Sequence, residues 1–158
     1  VLTPHTVEFS RLTGLTPEEV EMNRIYLCEK LAAENNLTAV LKGAATVISS
    51  SKGEIRINPT GNSGMATAGS GDVLSGITAA LLAQGAEAFD AASMAVYLHG
   101  LSGDIAKEEK TEYSMKAGDL IDNLSKAFKK IYKYCLKSNK NSKNINGGTI
   151  CEELSERC

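Results

Sequence analysis

The chain has 158 residues, 42% of them hydrophobic, and a formal net charge of −2 at pH 7. That size and composition suit one ordinary domain with a sizeable core. The slight negative charge gives no electrostatic reason to expect nucleic acid as a partner, and no apolar run reaches the ~20 residues a bilayer-spanning helix needs.

The opening "VLTPH" reads as a short buried strand stopped by Pro4. Because the chain starts at Val1 and already inside a strand, the sequence reads as a piece of a longer protein. Thr16, Pro17 and Glu19 form a capping box with proline at the first helical position. Val20, Leu27, Cys28 and Leu31 follow at helical spacing and predict one helix of about four or five turns, ending near Asn35-Asn36. "TAVLKG" is a compact apolar strand of the kind covered on both faces, and "ATVISSSKGEIRIN" reads as two strands joined by a Ser-Lys-Gly turn. Beyond a glycine-rich stretch, Val73, Leu74, Ile77, Leu81 and Leu82 predict a helix that stops at Gly85. A second helix carries Phe89, Ala92, Val96 and His99 on one face, with His99 read as a core histidine. A third carries Leu120, Ile121, Leu124, Phe128, Ile131 and Cys135. From residue 137 to 158 the Asn, Lys, Ser and Gly content predicts a disordered tail. The pattern predicts a three-layer α/β domain over residues 1–136, with helices on a mostly parallel sheet.

Four cysteines are present, none in a C-x-x-C pair. Cys28 and Cys135 fall on apolar helix faces and read as small core hydrophobes in a reducing cytoplasm, while Cys151 and Cys158 lie in the polar tail.

The stretch "NPTGNSGMATAGSGDVLSG", Asn58 to Gly76, places glycines at 61, 64, 69, 71 and 76 immediately before and within a predicted helix start. The first N–H groups of a helix lack intrahelical acceptors, and the helix dipole puts about half a positive charge there. Glycines leading into that end let the amides of Ala68, Gly69, Ser70 and Gly71 converge on an anion, with phosphate the obvious candidate. The spacing matches neither G-x-x-x-x-G-K-[ST] nor G-x-G-x-x-G. Asp72 admits two readings, a helix N-cap or a general base that takes the proton from a hydroxyl attacking phosphorus. Spacing does not choose between them. Lys42 has a similar pair of readings, a solvated strand end or a phosphate contact, and Asn62 either orients a nucleotide or makes a turn.

The run "NPTGNSGMATAGSGDVLSGITAALLAQG" closely resembles the signature near the C-terminal end of NAD(P)H-hydrate dehydratases, members of the ribokinase-like superfamily. "VLTPH..E" resembles that family's other signature, usually T-P-H-P-G-E, and "LKGAATVI" resembles its nucleotide-binding segment. Order and separations fit over about Val1 to Tyr134. The resemblance implies a ribokinase-like α/β/α fold, here the C-terminal, nucleotide-binding part of the domain. It also implies a carbon–oxygen lyase that dehydrates hydrated NADH or NADPH, with ADP or ATP as phosphoryl donor and Mg²⁺ as cofactor. Carried over by position, Asp72 is the catalytic aspartate and a substrate contact, and His5 meets the hydrated cofactor. Lys42, Gly43, Ala44, Ala45 and Thr46 contact the nucleotide, and Gly69, Ser70 and Gly71 form the anion hole. No side chain is assigned to a metal. Thr6-Val7 replace the family's Pro-Gly, so the loop at His5 is expected to differ. A cytoplasmic protein that self-associates at full length is expected, with this piece inactive alone. A ribokinase-like small-molecule kinase is the nearest rival reading, though T-P-H rather than T-P-N argues against a pyrimidine kinase. A non-catalytic nucleotide-binding fragment is the other.

Overall fold

A computed structural model describes residues 1–141, with side chains as far as Tyr134. Three short strands, β1 (Ala39–Leu41), β2 (Val47–Ser49) and β3 (Ile55–Ile57), form an antiparallel sheet in the order β1-β2-β3. The hairpin expected from "ATVISSSKGEIRIN" is therefore present as β2-β3. The expected mostly parallel sheet appears differently in this stretch. Its regular ladder is antiparallel, and the parallel pairings are those of Leu2 with Ala39 and His5 with Lys42 along the open edge of β1.

Strand alternation sends side chains to opposite faces, and the sheet sorts two cores accordingly. Ala39, Leu41 and Val47 face one layer, with Phe9, Val20, Cys28 and Ala32. Val40 and Ile48 face the other, with Leu74, Ile77, Phe89, Val96, Leu98 and Ala127. The first layer consists of α1 (Thr6–Thr13), α2 (Pro17–Met22) and α3 (Arg24–Glu34). The second consists of α4 (Ser70–Ala83), α5 (Ala88–Lys110) and α6 (Ala117–Asn141).

Several sequence expectations are corrected. The single helix from Pro17 is two helices broken at Asn23. There the side-chain amide donates to the Glu19 carbonyl at 3.1 Å and competes with the helical ladder. Helix α1 was not anticipated because its capping box starts with a histidine. The Glu8 N–H donates to His5 Nδ1 at 3.2 Å and the His5 N–H to Glu8 Oε2 at 2.7 Å, outside the Ser/Thr pattern that signals such starts. On α6, Leu120 and Ala127 are buried, whereas Ile121 and Phe128 lie on its outer face. That helix runs to Asn141, so the boundary expected after residue 136 falls inside it. The rest of the tail, and the side chains of Cys135, Cys151 and Cys158, lie outside the described residues. Cys28 is a core residue as expected. It is fully buried, with Sγ 3.6 Å from the carbonyls of Ala39 and Val47, and burial pushes its thiol up to about 11.

The loop between β3 and α4 lies along α5, and two helix glycines make the seat. A Cβ on Gly100 would stand 2.2 Å from Thr60 Oγ1 and 2.7 Å from the Thr60 carbonyl carbon, and one on Gly103 2.3 Å from Met65 Sδ. The close approach requires glycine at Gly100, where the neighbours are backbone; at Gly103 the flexible Met65 side chain would have to move aside.

A candidate phosphate site at the start of α4

A cleft of about 820 Å³ opens where the strand end at Lys42, the segment at His5, the loop after β3 and the first turn of α4 meet. Backbone pairing brings the first two together, since the Lys42 N–H donates to the Pro4 carbonyl at 2.9 Å. The chain then turns away through residues 43–46. Gly43 takes φ +154°, and a Cβ there would press within 2.8 Å of the Arg24 guanidinium, which donates to the Leu41 carbonyl at 2.9 Å. Ala45 sits at φ +54°, an uncommon conformation for a side-chain-bearing residue. The buried Thr46 closes the turn, its hydroxyl donating to the Gly43 carbonyl at 3.0 Å. All five residues from Lys42 to Thr46 line the cleft.

Helix α4 points its N-terminus into the same space. Gly69 is the N-cap at φ +86°, packed against Ala117, and its lack of a side chain leaves the helix without a side-chain cap. Asp72 is therefore the third residue of the helix and not its N-cap, which removes the capping reading. Its carboxylate is exposed beside the cleft and not among the groups lining it. The expected four-amide cradle is narrower. The Ser70 N–H is taken by the Thr67 carbonyl at 3.2 Å and the Asp72 N–H by Gly69 at 3.1 Å. Ser70 and Gly71 line the cleft, while Ala68 and Gly69 stand behind it.

The electrostatics favour an anion. Lys42 Nζ lies 3.2 Å from the position of a Cβ on Gly71, so an ammonium and the positive end of a 14-residue helix face one another. Glu8 offsets part of that charge at 3.7 Å from Nζ. Its carboxyl is held below the usual carboxylate range, first by the His5 backbone N–H and further by Lys42. His5 thus caps α1 while standing on the rim of the cleft.

Two participants escaped the sequence reading. Glu8 could have been found from the H-x-x-E spacing, had histidine been admitted as a cap. His99, read as a core residue, is half-buried on the cleft wall. Its Nε2 lies 2.9 Å from the Ser70 carbonyl oxygen and 3.2 Å from Ser70 Oγ. A carbonyl oxygen can only accept, so Nε2–H is the donor. Burial lowers the His99 pKa, the bond to Ser70 offsets part of that, and Lys42 lowers it further. Both side-chain polar atoms of Asn62 are engaged by protein groups: Nδ2 donates to Asp104 of α5 at 3.0 Å, and Oδ1 accepts the Gly64 N–H of the loop at 3.1 Å.

These features define an anion-favouring cleft in an α/β domain of the ribokinase-like kind. A solved ribokinase-like superfamily protein from Enterococcus faecalis V583 is similar, at 36% identity and a TM-score of 0.70, over 82% of this chain and 44% of that one. The family model for NAD(P)H-hydrate dehydratase matches residues 1–126, and the chain belongs to that family. It is also similar to the bifunctional NAD(P)H-hydrate repair enzyme Nnr of Moorella thermoacetica, with 49% identity over 124 residues, 78% of this chain and 23% of that protein. The ADP/ATP-dependent NAD(P)H-hydrate dehydratase of Bacillus subtilis, co-crystallised with ATP and Mg²⁺, is similar at 35% identity and a TM-score of 0.79, over 82% of this chain and 47% of that one. The chain thus spans less than half the length of these relatives.

Proposed function

We propose that this chain carries the nucleotide-binding side of an enzyme that returns hydrated NADH and NADPH to NADH and NADPH, with ADP as phosphoryl donor. The observation that carries the reading is the Lys42 ammonium set against the start of α4 at the mouth of the cleft. Lys42 and the Gly71 amide hold the transferring phosphoryl group, and the turn from Gly43 through Ala44 and Ala45 to Thr46 lies along the nucleotide. Gly69 and Ser70 set the direction of the helix end. His5, on the rim, meets the hydrated nicotinamide ring.

Hydroxide is a poor leaving group, and phosphorylation makes the ring oxygen a good one. Asp72 takes the proton of the ring hydroxyl as that oxygen attacks the terminal phosphorus of ADP, releasing AMP. The C–O bond then breaks with loss of a ring proton, the double bond re-forms, and inorganic phosphate departs with the oxygen. Among the described residues no three His, Cys, Asp or Glu side chains converge as a metal-ligand set. Mg²⁺ would therefore be held chiefly by the nucleotide's phosphate oxygens and water, as is usual for that ion, and would supply charge neutralisation. Cytoplasmic location and self-association at full length belong to the same reading.

The test is incubation of the full-length protein with hydrated NADH, ADP and Mg²⁺. Return of NADH absorbance with equimolar phosphate and AMP is the expected result. A stable phosphoester would make the protein a kinase, and nucleotide binding without either product would make it a binding module.

A further inference from the structure

The loop that walls one side of the cleft is held by the Asp104 carboxylate of α5, alongside a Thr60 hydroxyl bond to α5 and a Ser63 hydroxyl bond to Glu112 just beyond it. Asp104 Oδ2 accepts the Gly61 N–H at 3.0 Å, and Oδ1 accepts the Asn62 side-chain amide at 3.0 Å. Asn62 Oδ1 in turn accepts the Gly64 N–H at 3.1 Å and caps the 3₁₀ turn Ser63–Met65. Because a carboxylate can only accept, it forces the Asn62 amide nitrogen toward α5 and leaves the oxygen for Gly64. Gly61 itself sits at φ +107°, and its N–H has no place in a helix or strand ladder. Charge-assisted bonds of this kind are roughly twice as strong as neutral ones. Three positions of α5 meet the loop in turn: the Tyr97 carbonyl accepts the Thr60 hydroxyl at 3.0 Å, Gly100 admits the Thr60 backbone, and Asp104 holds the next two residues. Residues 97, 100 and 104 recur on one helical face.

We infer that Asp104 is a positioning residue that fixes the Gly61–Met65 loop and so sets the wall of the cleft. It touches no substrate and acts through Gly61 and Asn62. The nucleotide enters this inference only as the ligand of the cleft, on the reading proposed above.

The pair Asp104 and Asn62 offers a swap. Asp104→Asn alone sets an amide nitrogen against a donor, and Asn62→Asp alone sets two carboxylates together. Combined, Asp104→Asn and Asn62→Asp restore one donor facing one acceptor, still leave an oxygen for Gly61 N–H, and keep an oxygen for Gly64. Hydrogen exchange over residues 60–66 and calorimetric binding of ADP with Mg²⁺ are measured on the 158-residue chain. Each single variant should speed loop exchange and weaken ADP binding by about tenfold, and the double variant should recover both to within about twofold. Asp90→Asn, which breaks the α5 ion pair with Arg56 away from the cleft, should change neither. Unchanged loop exchange in the single variants, or no recovery in the double variant, overturns the inference. Should Asp104→Asn fail to fold, Asn62→Asp and the double variant decide it in the same way. If loop exchange follows the swap while the unmodified chain binds no ADP, the nucleotide reading falls and the positioning role of Asp104 stands.

Discussion

The Lys42 ammonium nitrogen lies 3.2 Å from where a Cβ on Gly71 would stand, so the glycine makes room for the lysine at the positive end of α4. Neither residue improves stability by this arrangement. Glycine in a helix costs about 0.5–1 kcal/mol relative to alanine, and the ammonium faces a like-signed helix end. Gly71→Ala should therefore raise thermal stability slightly while weakening ADP affinity by about tenfold. Paired melting and calorimetry would detect the opposite signs. A variant that binds ADP normally would show that the close approach has no part in binding.

Lys42→Ala tests the charge itself. A hydrogen bond to a charged group contributes roughly 1.5–3 kcal/mol, so ADP affinity should fall by about 10- to 100-fold. The salt dependence of binding should weaken as well, because one of the two positive features is gone. The same affinity and the same salt slope as the unaltered chain would place Lys42 among ordinary solvated lysines.

Asp72 is exposed and third in its helix, where a carboxylate opposes a phosphate. Asp72→Asn should leave ADP affinity equal or tighter. In the full-length protein it should reduce turnover by roughly 10²–10⁴, the usual contribution of a positioned base. Retained turnover would remove the proton-transfer role and leave Asp72 as a first-turn carboxylate at the positive end of α4.

What could be read in advance divides by the range of the interaction. Helix α4, the β2-β3 hairpin and the burial of Cys28 rest on local periodicity and turn chemistry, and the sequence pattern carries them. The meeting of His5 with Lys42 rests on a parallel pairing between distant segments, which no local pattern specifies, although the T-P-H and LKGAAT motifs imply it by resemblance. His99 sits at helical spacing with Val96 and Phe89, so periodicity assigns it to the core. Only the packing of α5 against α4 turns its ring toward Ser70. The break at Asn23 and the histidine cap of α1 depend on side-chain-to-backbone bonds that compete with ordinary signals.

Two helix glycines should answer alanine in opposite directions. A Cβ added to Gly76, on α4, would meet nothing within 4 Å, so Gly76→Ala should gain about 0.5–1 kcal/mol from helix propensity. Gly100 would meet backbone atoms of Thr60 at 2.7 Å, atoms that cannot swing aside. Overpacking there should cost about 1–3 kcal/mol and outweigh the propensity gain. Chemical denaturation of the two variants should give midpoints on either side of the parent. A Gly100→Ala protein as stable as Gly76→Ala would show that the loop does not rest on α5.

His99 supplies a pH dependence whose sign can be fixed. Burial, with Lys42 nearby, lowers its pKa in the folded chain below the ordinary 6.5. Above that value the ring is neutral in both folded and unfolded states and the titration contributes nothing. As pH falls below it, the unfolded chain binds a proton that the folded chain does not, and stability declines. The carboxylates held low by their partners, Glu8, Glu19, Glu109, Glu112 and Asp119, act later, as pH falls through and below their ordinary range near 4. The interval from about pH 6.5 to 5 therefore separates histidine titration from that of the carboxylates. His99→Gln keeps a donor for the Ser70 carbonyl without a titrating group. Melting temperature should fall between pH 7 and pH 5 in the parent and fall less in His99→Gln. An equal decline in both would mean that protonation of His99 is not what loosens the fold.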